Sequence, residues 1–167
     1  LITVTFYFFG WWIYFGFQNG PGITGGWIAA AWSQPWNELM GMHMGGKPND
    51  ANLSVEDTAT WARINGVFWG AFLLFAWTSG SILSGAVIER IRSSAFWFLA
   101  VVVGSVTWVI DASWGWSADG WMVQVLGYHD AYASGVVHGV CGGSALAILY
   151  HLGPRLGRFG PDGKARN

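Results

Sequence analysis

Charge is what this sequence has least of. Eight Lys and Arg with nine Asp and Glu make up 10% of its 167 residues, where soluble domains carry about 25%. That scarcity excludes a well-solvated surface wrapped around a small core. The formal net charge of −1 excludes the basic stripe that a nucleic-acid partner requires. Cysteine is nearly absent too. Cys141 alone excludes an internal disulfide and any zinc site of the paired-cysteine kind. No nucleophile–base pair, phosphate-binding glycine loop or metal-ligand cluster is present, so neither an enzyme nor a resident cofactor is expected. There is no repeat and no linker to a second domain. The chain also lacks an initiator Met and a basic leader region. It opens on Leu1-Ile-Thr-Val4, already apolar, and is expected to begin inside or just before a span, with sequence upstream.

What is abundant is apolar, aromatic and small. The composition is 53% hydrophobic, with 13 Trp, 11 Phe and 25 Gly. Glycine is enriched in transmembrane helices, and tryptophan gathers at both membrane interfaces. Four apolar segments follow, at about residues 1–17 (A), 64–88 (B), 95–110 (C) and 130–152 (D). A typical bilayer takes about 20 residues of helix, with a range of about 17–25. B and D meet this easily, while A and C are at the short end. The expected fold is all-α, a polytopic membrane helix bundle of about four spans.

Arg90 and Arg92 separate B from C, and Arg155, Arg158, Lys164 and Arg166 follow D. By the positive-inside rule, the B–C loop and the C-terminal tail are expected to be cytoplasmic; the membrane is expected to be the plasma (inner) membrane. Residues 18–63 and 111–129 then face outward. Their tryptophans, Trp27, Trp32, Trp36 and Trp61 in the first and Trp114, Trp116 and Trp121 in the second, are expected as interfacial anchors with wet indole N–H groups. Residues 45–54 form a polar loop, and Ser54-Val-Glu-Asp57 has the pattern of a capping box that opens a helix leading into B.

His138 is the residue that a membrane helix holds least comfortably, and such residues are functional-site hypotheses by default. It lies eight residues past Asp130, about 12 Å deeper along a helix. Three readings are open: a neutral imidazole bonded to a neighbouring helix, a group lining a narrow polar path, or an axial ligand to haem or chlorophyll. Asp130, at the start of the run, has the position of a carboxylate satisfying helix N-terminal amides, which is compatible with an electrostatic role at a cation entrance. Tyr128 and His129 beside it are expected to be interfacial. Gly135, Gly139 and Gly143 form a small-residue face, and Gly80/Ser84 and Ser81/Gly85 repeat that pattern in B. Phe72 and Phe75 read as packing residues, and Asp111 as a solvated or capping charge. His43 beside Met40, Met42 and Met44 has the chemistry of a soft-metal site, though all four fall in one outer loop.

Three blocks together resemble the ammonium transporter family, the Amt branch of the Amt/Rhesus proteins. Ser79-Gly-Ser-Ile-Leu-Ser-Gly-Ala-Val-Ile-Glu-Arg-Ile-Arg92 is similar to that family's third span and its cytoplasmic exit. Trp114-Gly-Trp-Ser-Ala-Asp-Gly-Trp121 is similar to the outer loop before the fifth span. Asp130 to His138, with Leu152-Gly-Pro-Arg-Leu-Gly-Arg-Phe159, is similar to the family signature and the exit from the fifth span. The blocks keep family order over about residues 60–162, and residues 6–17 fit the second span more weakly.

The resemblance implies a homotrimer, or an assembly supplying further spans, in which each protomer holds a conduction path for ammonium or ammonia. It implies that Trp116 is the vestibule tryptophan, Phe75 a gate phenylalanine, His138 the first lumen histidine and Asp130 the signature aspartate. It also implies an eleven-span fold in two inverted halves, with a second lumen histidine in the second half. This sequence covers spans two to five. It departs from the pattern at Ala131-Tyr132-Ala133, where the family has Phe-Ala-Gly, and at Ala71, where a gate phenylalanine is usual. A non-transporting ammonium sensor domain, or a structural subunit of a larger membrane complex, is the alternative function.

Overall fold

The computed structural model describes residues 1–17, 55–118 and 120–166. Five helices carry them. Helix α1 covers 2–16, α2 Val55–Val87, α3 Ser93–Gly115, α4 Trp121–Leu126 and α5 Ser134–Leu152. No β-strand occurs among the described residues, and the one antiparallel bridge joins Phe159 to Ala165. Three stretches are long and apolar enough to cross a membrane, Gly66–Val87, Ser93–Gly115 and Ser134–Leu152. The protein is a polytopic helical membrane bundle. Helix α1 spans about 22 Å at 1.5 Å per residue, short of the ~30 Å hydrocarbon thickness.

Helix ends follow local chemistry. Beyond α2, Glu89 takes φ 63°, and extended Arg92 starts α3. Gly127, at φ 63°, lets the Tyr128 N–H fold back onto the Met122 carbonyl and close α4. Helix α3 continues through Asp111 to Gly115, so this carboxylate sits half-buried inside a helix and not at its end. Helix α5 begins at Ser134, four residues after Asp130.

Helices α1, α3 and α5 each contain a wider π-type stretch, at Phe6–Gly10, Val103–Thr107 and Ser134–Gly139. Such turns occur mostly as single bulges inside α-helices, often at functional sites. In α3 the Thr107 hydroxyl donates to the carbonyl of Val102.

The core is aromatic toward the end that carries Trp116 and aliphatic beyond it. Trp108 is fully buried, and its indole N–H donates to the Gly104 carbonyl at 2.6 Å. Around it stand Phe72 at 5.6 Å, Phe75 at 6.1 Å, Trp116 at 6.3 Å and Phe6 at 6.5 Å between ring centroids. Further in, Ala76, Leu83, Val137 and Cys141 are buried. Helix α1 approaches closely because Gly80 and Gly104 leave room for the Ile2 side chain. Polar bonds fix its register: the Thr5 and Ser105 hydroxyls meet at 2.7 Å, and the Trp77 indole N–H donates to the Thr3 hydroxyl at 3.1 Å.

Several expectations fall elsewhere. Trp27, Trp32, Trp36, His43 with its three methionines, the loop 45–54, the Ser54 cap and Asp119 lie outside the described residues, as does the side chain of Trp61.

Candidate functional site

The end of the bundle where α5 begins is organised by Asp130. Its carboxylate accepts four backbone N–H groups: Ser134 at 2.8 Å and Tyr132 at 3.3 Å on Oδ1, Gly135 at 2.8 Å and Val136 at 2.9 Å on Oδ2. The first amides of a helix have no intrahelical acceptor, and a carboxylate there also complements the positive end of the helix dipole. Partial burial pushes its pKa up, but the four amides outweigh this and hold it below the ordinary carboxylate value.

Tyr128 turns inward and not toward an interface. Its hydroxyl donates to Asp130 Oδ2 at 3.3 Å, and its ring lies where any side chain at Gly115 would fall. Desolvation raises its pKa above the usual phenol value, followed by the Asp130 charge, the bond to Asp130 and the charge of Asp111. Tyr128 therefore lies in the field of both carboxylates.

Trp116 connects this carboxylate to the aromatic core. Its indole N–H donates to the backbone carbonyl of Asp130 at 2.8 Å. Its ring meets Phe75 edge-on at 4.9 Å and 64°, and Phe72 at 5.8 Å and 73°, within the favourable range for aromatic pairs. Trp114 likewise donates to the Phe17 carbonyl at 2.9 Å. The expectation of wet indole N–H groups is thus corrected for Trp114 and Trp116. Carbonyls at the helix end and in the loop lack backbone donors, and these two indoles supply them. Trp121 packs edge-on against Trp114 at 5.9 Å, with its N–H buried and unpartnered among the described residues.

His138 stands apart from this trio. It lies in the wide first turns of α5, and its backbone N–H donates to the Ala133 carbonyl at 3.0 Å. Its Nδ1 lies 3.0 Å from the same oxygen. A carbonyl only accepts, so Nδ1 carries the proton and Nε2 is left as the acceptor. The His138 side chain is exposed, on the same open face as Gly139, Gly142 and Gly143. Ala133, which supplies the carbonyl, is buried with φ 61°, a conformation that non-glycine residues seldom take.

The structure thus joins Phe75, Trp116 and Asp130 in one contact chain and places His138 on the helix that Asp130 caps. The glycine face is used differently from expectation. At Gly135 it is a side chain, the Tyr128 hydroxyl, that comes close, and Gly143 is open among the described residues. Sequence reasoning missed Trp108, which lies among the rings of Phe6, Phe72, Phe75 and Trp116. Its signal was available, since Phe72 and Phe75 share a helix face facing one apolar neighbour helix.

Comparison with known proteins gives one consistent result. A family model described as Ammonium Transporter Family matches residues 1–167. Ammonium transporter Amt2 of Archaeoglobus fulgidus is 38% identical over 107 residues, 59% of this chain and 23% of that protein. Ammonium transporter Amt2 of Methanocaldococcus jannaschii is 30% identical over 148 residues, 89% of this chain and 30% of that protein. Ammonium transporter 3 of Dictyostelium discoideum is 32% identical over 101 residues, 60% of this chain and 23% of that protein. The chain therefore spans less than a third of the length of these relatives. No solved structure matches.

Proposed function

This chain belongs to the ammonium transporter family, and on that premise we propose that it forms part of a membrane path for ammonium or ammonia, with Phe75, Trp116, Asp130 and His138 along it. The observation that carries the reading is the family match over the whole described bundle. The contact chain from Phe75 through Trp116 to Asp130 supports the roles of the residues.

Two carboxylates at the outer end, Asp111 and Asp130, favour a cation over an anion or a neutral solute. Trp116 adds a cation–π contribution of roughly 0.5–2 kcal/mol. Neither offsets the cost of carrying a bare ion through hydrocarbon, which is far larger. Ammonium therefore gives its proton to water on the outer side and continues as neutral ammonia. Phe75, edge-on to Trp116, narrows the route to small neutral species. Ammonia then donates an N–H to Nε2 of His138, whose proton is held on Nδ1 by the Ala133 carbonyl.

In this reading spans A to D alternate across the plasma membrane, the basic B–C loop and tail are cytoplasmic, and the path is completed by further spans or by a homotrimeric assembly. Methylammonium uptake into proteoliposomes by the longer native polypeptide tests it. Uptake should fall steeply in the double variant Trp116→Ala/His138→Ala. Unchanged uptake would remove the site roles.

A further inference from the structure

Residues 153–166 fold into a hairpin that has no core. Gly153 turns the chain at φ 71°. The Arg166 N–H then donates to the Arg158 carbonyl at 2.8 Å and the Gly160 N–H to the Lys164 carbonyl at 2.9 Å. The Arg158 guanidinium closes the pair on the Arg166 carbonyl at 2.7 Å. Such bonding gives a defined shape and not a loose tail. Yet its large apolar side chains are left open: Leu156 is fully exposed and Phe159 is 52% exposed. The segment carries four basic side chains against the single acid Asp162, and it begins directly after helix α5 ends at Leu152. The Arg90 guanidinium donates to the Gly153 carbonyl, which draws the basic B–C loop, with exposed Arg92, to the root of the hairpin.

We propose that this hairpin binds anionic phospholipid at the membrane surface. The chemistry that complements it must offer negative charge and an apolar interior within one side chain's depth, which describes an anionic leaflet. Leu156 and Phe159 enter the boundary between headgroup and acyl chain. Arg155, Lys164 and Arg92 reach phosphate, their aliphatic stems lying along the apolar layer. Basic clusters next to the cytoplasmic end of a span read this way in general. The inference goes beyond the transport reading and rests on α5 being a membrane span whose C-terminal end is cytoplasmic.

The test uses the full native polypeptide that contains this chain, in nanodiscs of phosphatidylcholine alone or with added phosphatidylglycerol. Amide hydrogen exchange of 153–166 is the readout, and it does not depend on uptake. Phosphatidylglycerol should slow exchange in this segment by about tenfold, and high salt should reverse the effect. Arg155→Gln/Lys164→Gln should weaken it strongly without unfolding the hairpin, because neither side chain holds the hairpin together, and an undiminished effect would overturn the proposal. Leu156→Ser, at a fully exposed position where no packing is lost, should weaken it. Equal exchange in both lipids would overturn the proposal and point to cover by another part of the polypeptide. Inorganic phosphate reproducing the protection in phosphatidylcholine discs would also overturn it, in favour of a free-anion site.

Discussion

The carbonyl oxygen of Ala133 accepts two hydrogen bonds from one residue, His138: its backbone N–H at 3.0 Å and its ring Nδ1 at 3.0 Å. Backbone and side chain are thus held by a single atom, and the imidazole has one tautomer available when neutral. Ala133 holds that atom in place from a left-handed conformation that costs roughly 1–2 kcal/mol.

This tautomer is directly measurable. In ¹⁵N spectra of histidine-labelled protein, His138 should show a protonated Nδ1 and an unprotonated Nε2. His138→Asn retains a donor for the Ala133 carbonyl but offers an amide oxygen that does not reach out as far as Nε2. It should fold like the parent but lose uptake by about tenfold, the equivalent of one hydrogen bond of about 1.4 kcal/mol. A protonated Nε2 would contradict the arrangement.

Trp116→Phe keeps a ring against Phe75 while it removes the N–H donated to the Asp130 carbonyl and part of the indole's volume. The loss should be about 1–2 kcal/mol. Trp116→Ala also empties the ring's place beside Phe72 and Trp108 and should cost about 3–5 kcal/mol. Thermal unfolding in a fixed detergent or nanodisc separates the two. Equal losses would mean that the ring contacts contribute nothing.

Asp130→Asn leaves one acceptor for the helix amides and removes the charge, for an expected loss of about 1 kcal/mol. The pH dependence has a definite sign. The folded-state pKa of Asp130 is depressed, so its contribution is complete above the ordinary carboxylate value and is lost as pH falls through the lower folded value. Wild type and Asp130→Asn should differ most at neutral pH and converge only in strong acid. A gap that widened on acidification would reverse the assignment.

Gly135 and Tyr128 should be coupled. A methyl group at Gly135 would collide with the Tyr128 hydroxyl, so Gly135→Ala must expel the ring from Asp130, despite alanine's better helix propensity. In a Tyr128→Phe background the colliding oxygen is gone. The same glycine substitution should then cost at least about 0.5 kcal/mol less, measured as a double-mutant cycle. Strict additivity would show that the ring already moves freely.

Much of the bundle was legible because long apolar runs between basic loops are a strong signal. Asp130 and His138 stood out for the same reason, as ionisable groups at and inside such a run. What stayed hidden depends on contacts that sequence spacing does not encode. The meeting of Phe75 with Trp116 joins different helices. Asp111 was placed at a helix end because a charge conventionally marks one, whereas its helix continues another turn. Ala133 gives no sign of a left-handed backbone, since alanine rarely adopts one. Tyr128 read as an interfacial tyrosine until its hydroxyl was seen to face a carboxylate.

The three wide turns have a consequence for how this chain relates to others. Each holds one residue more than an α-helical turn, so each is geometrically a one-residue insertion. Across it, the side on which later residues emerge rotates by about 100°. Deleting one residue within Ser134–Gly139 would let the helix close as plain α, yet it would swing His138 away from the Ala133 carbonyl. Aligned with an uninterrupted helix, the chain calls for a single-residue gap at Phe6–Gly10 and at Val103–Thr107, where helix stands on both sides. An alignment that forbids those gaps would pair buried positions with exposed ones.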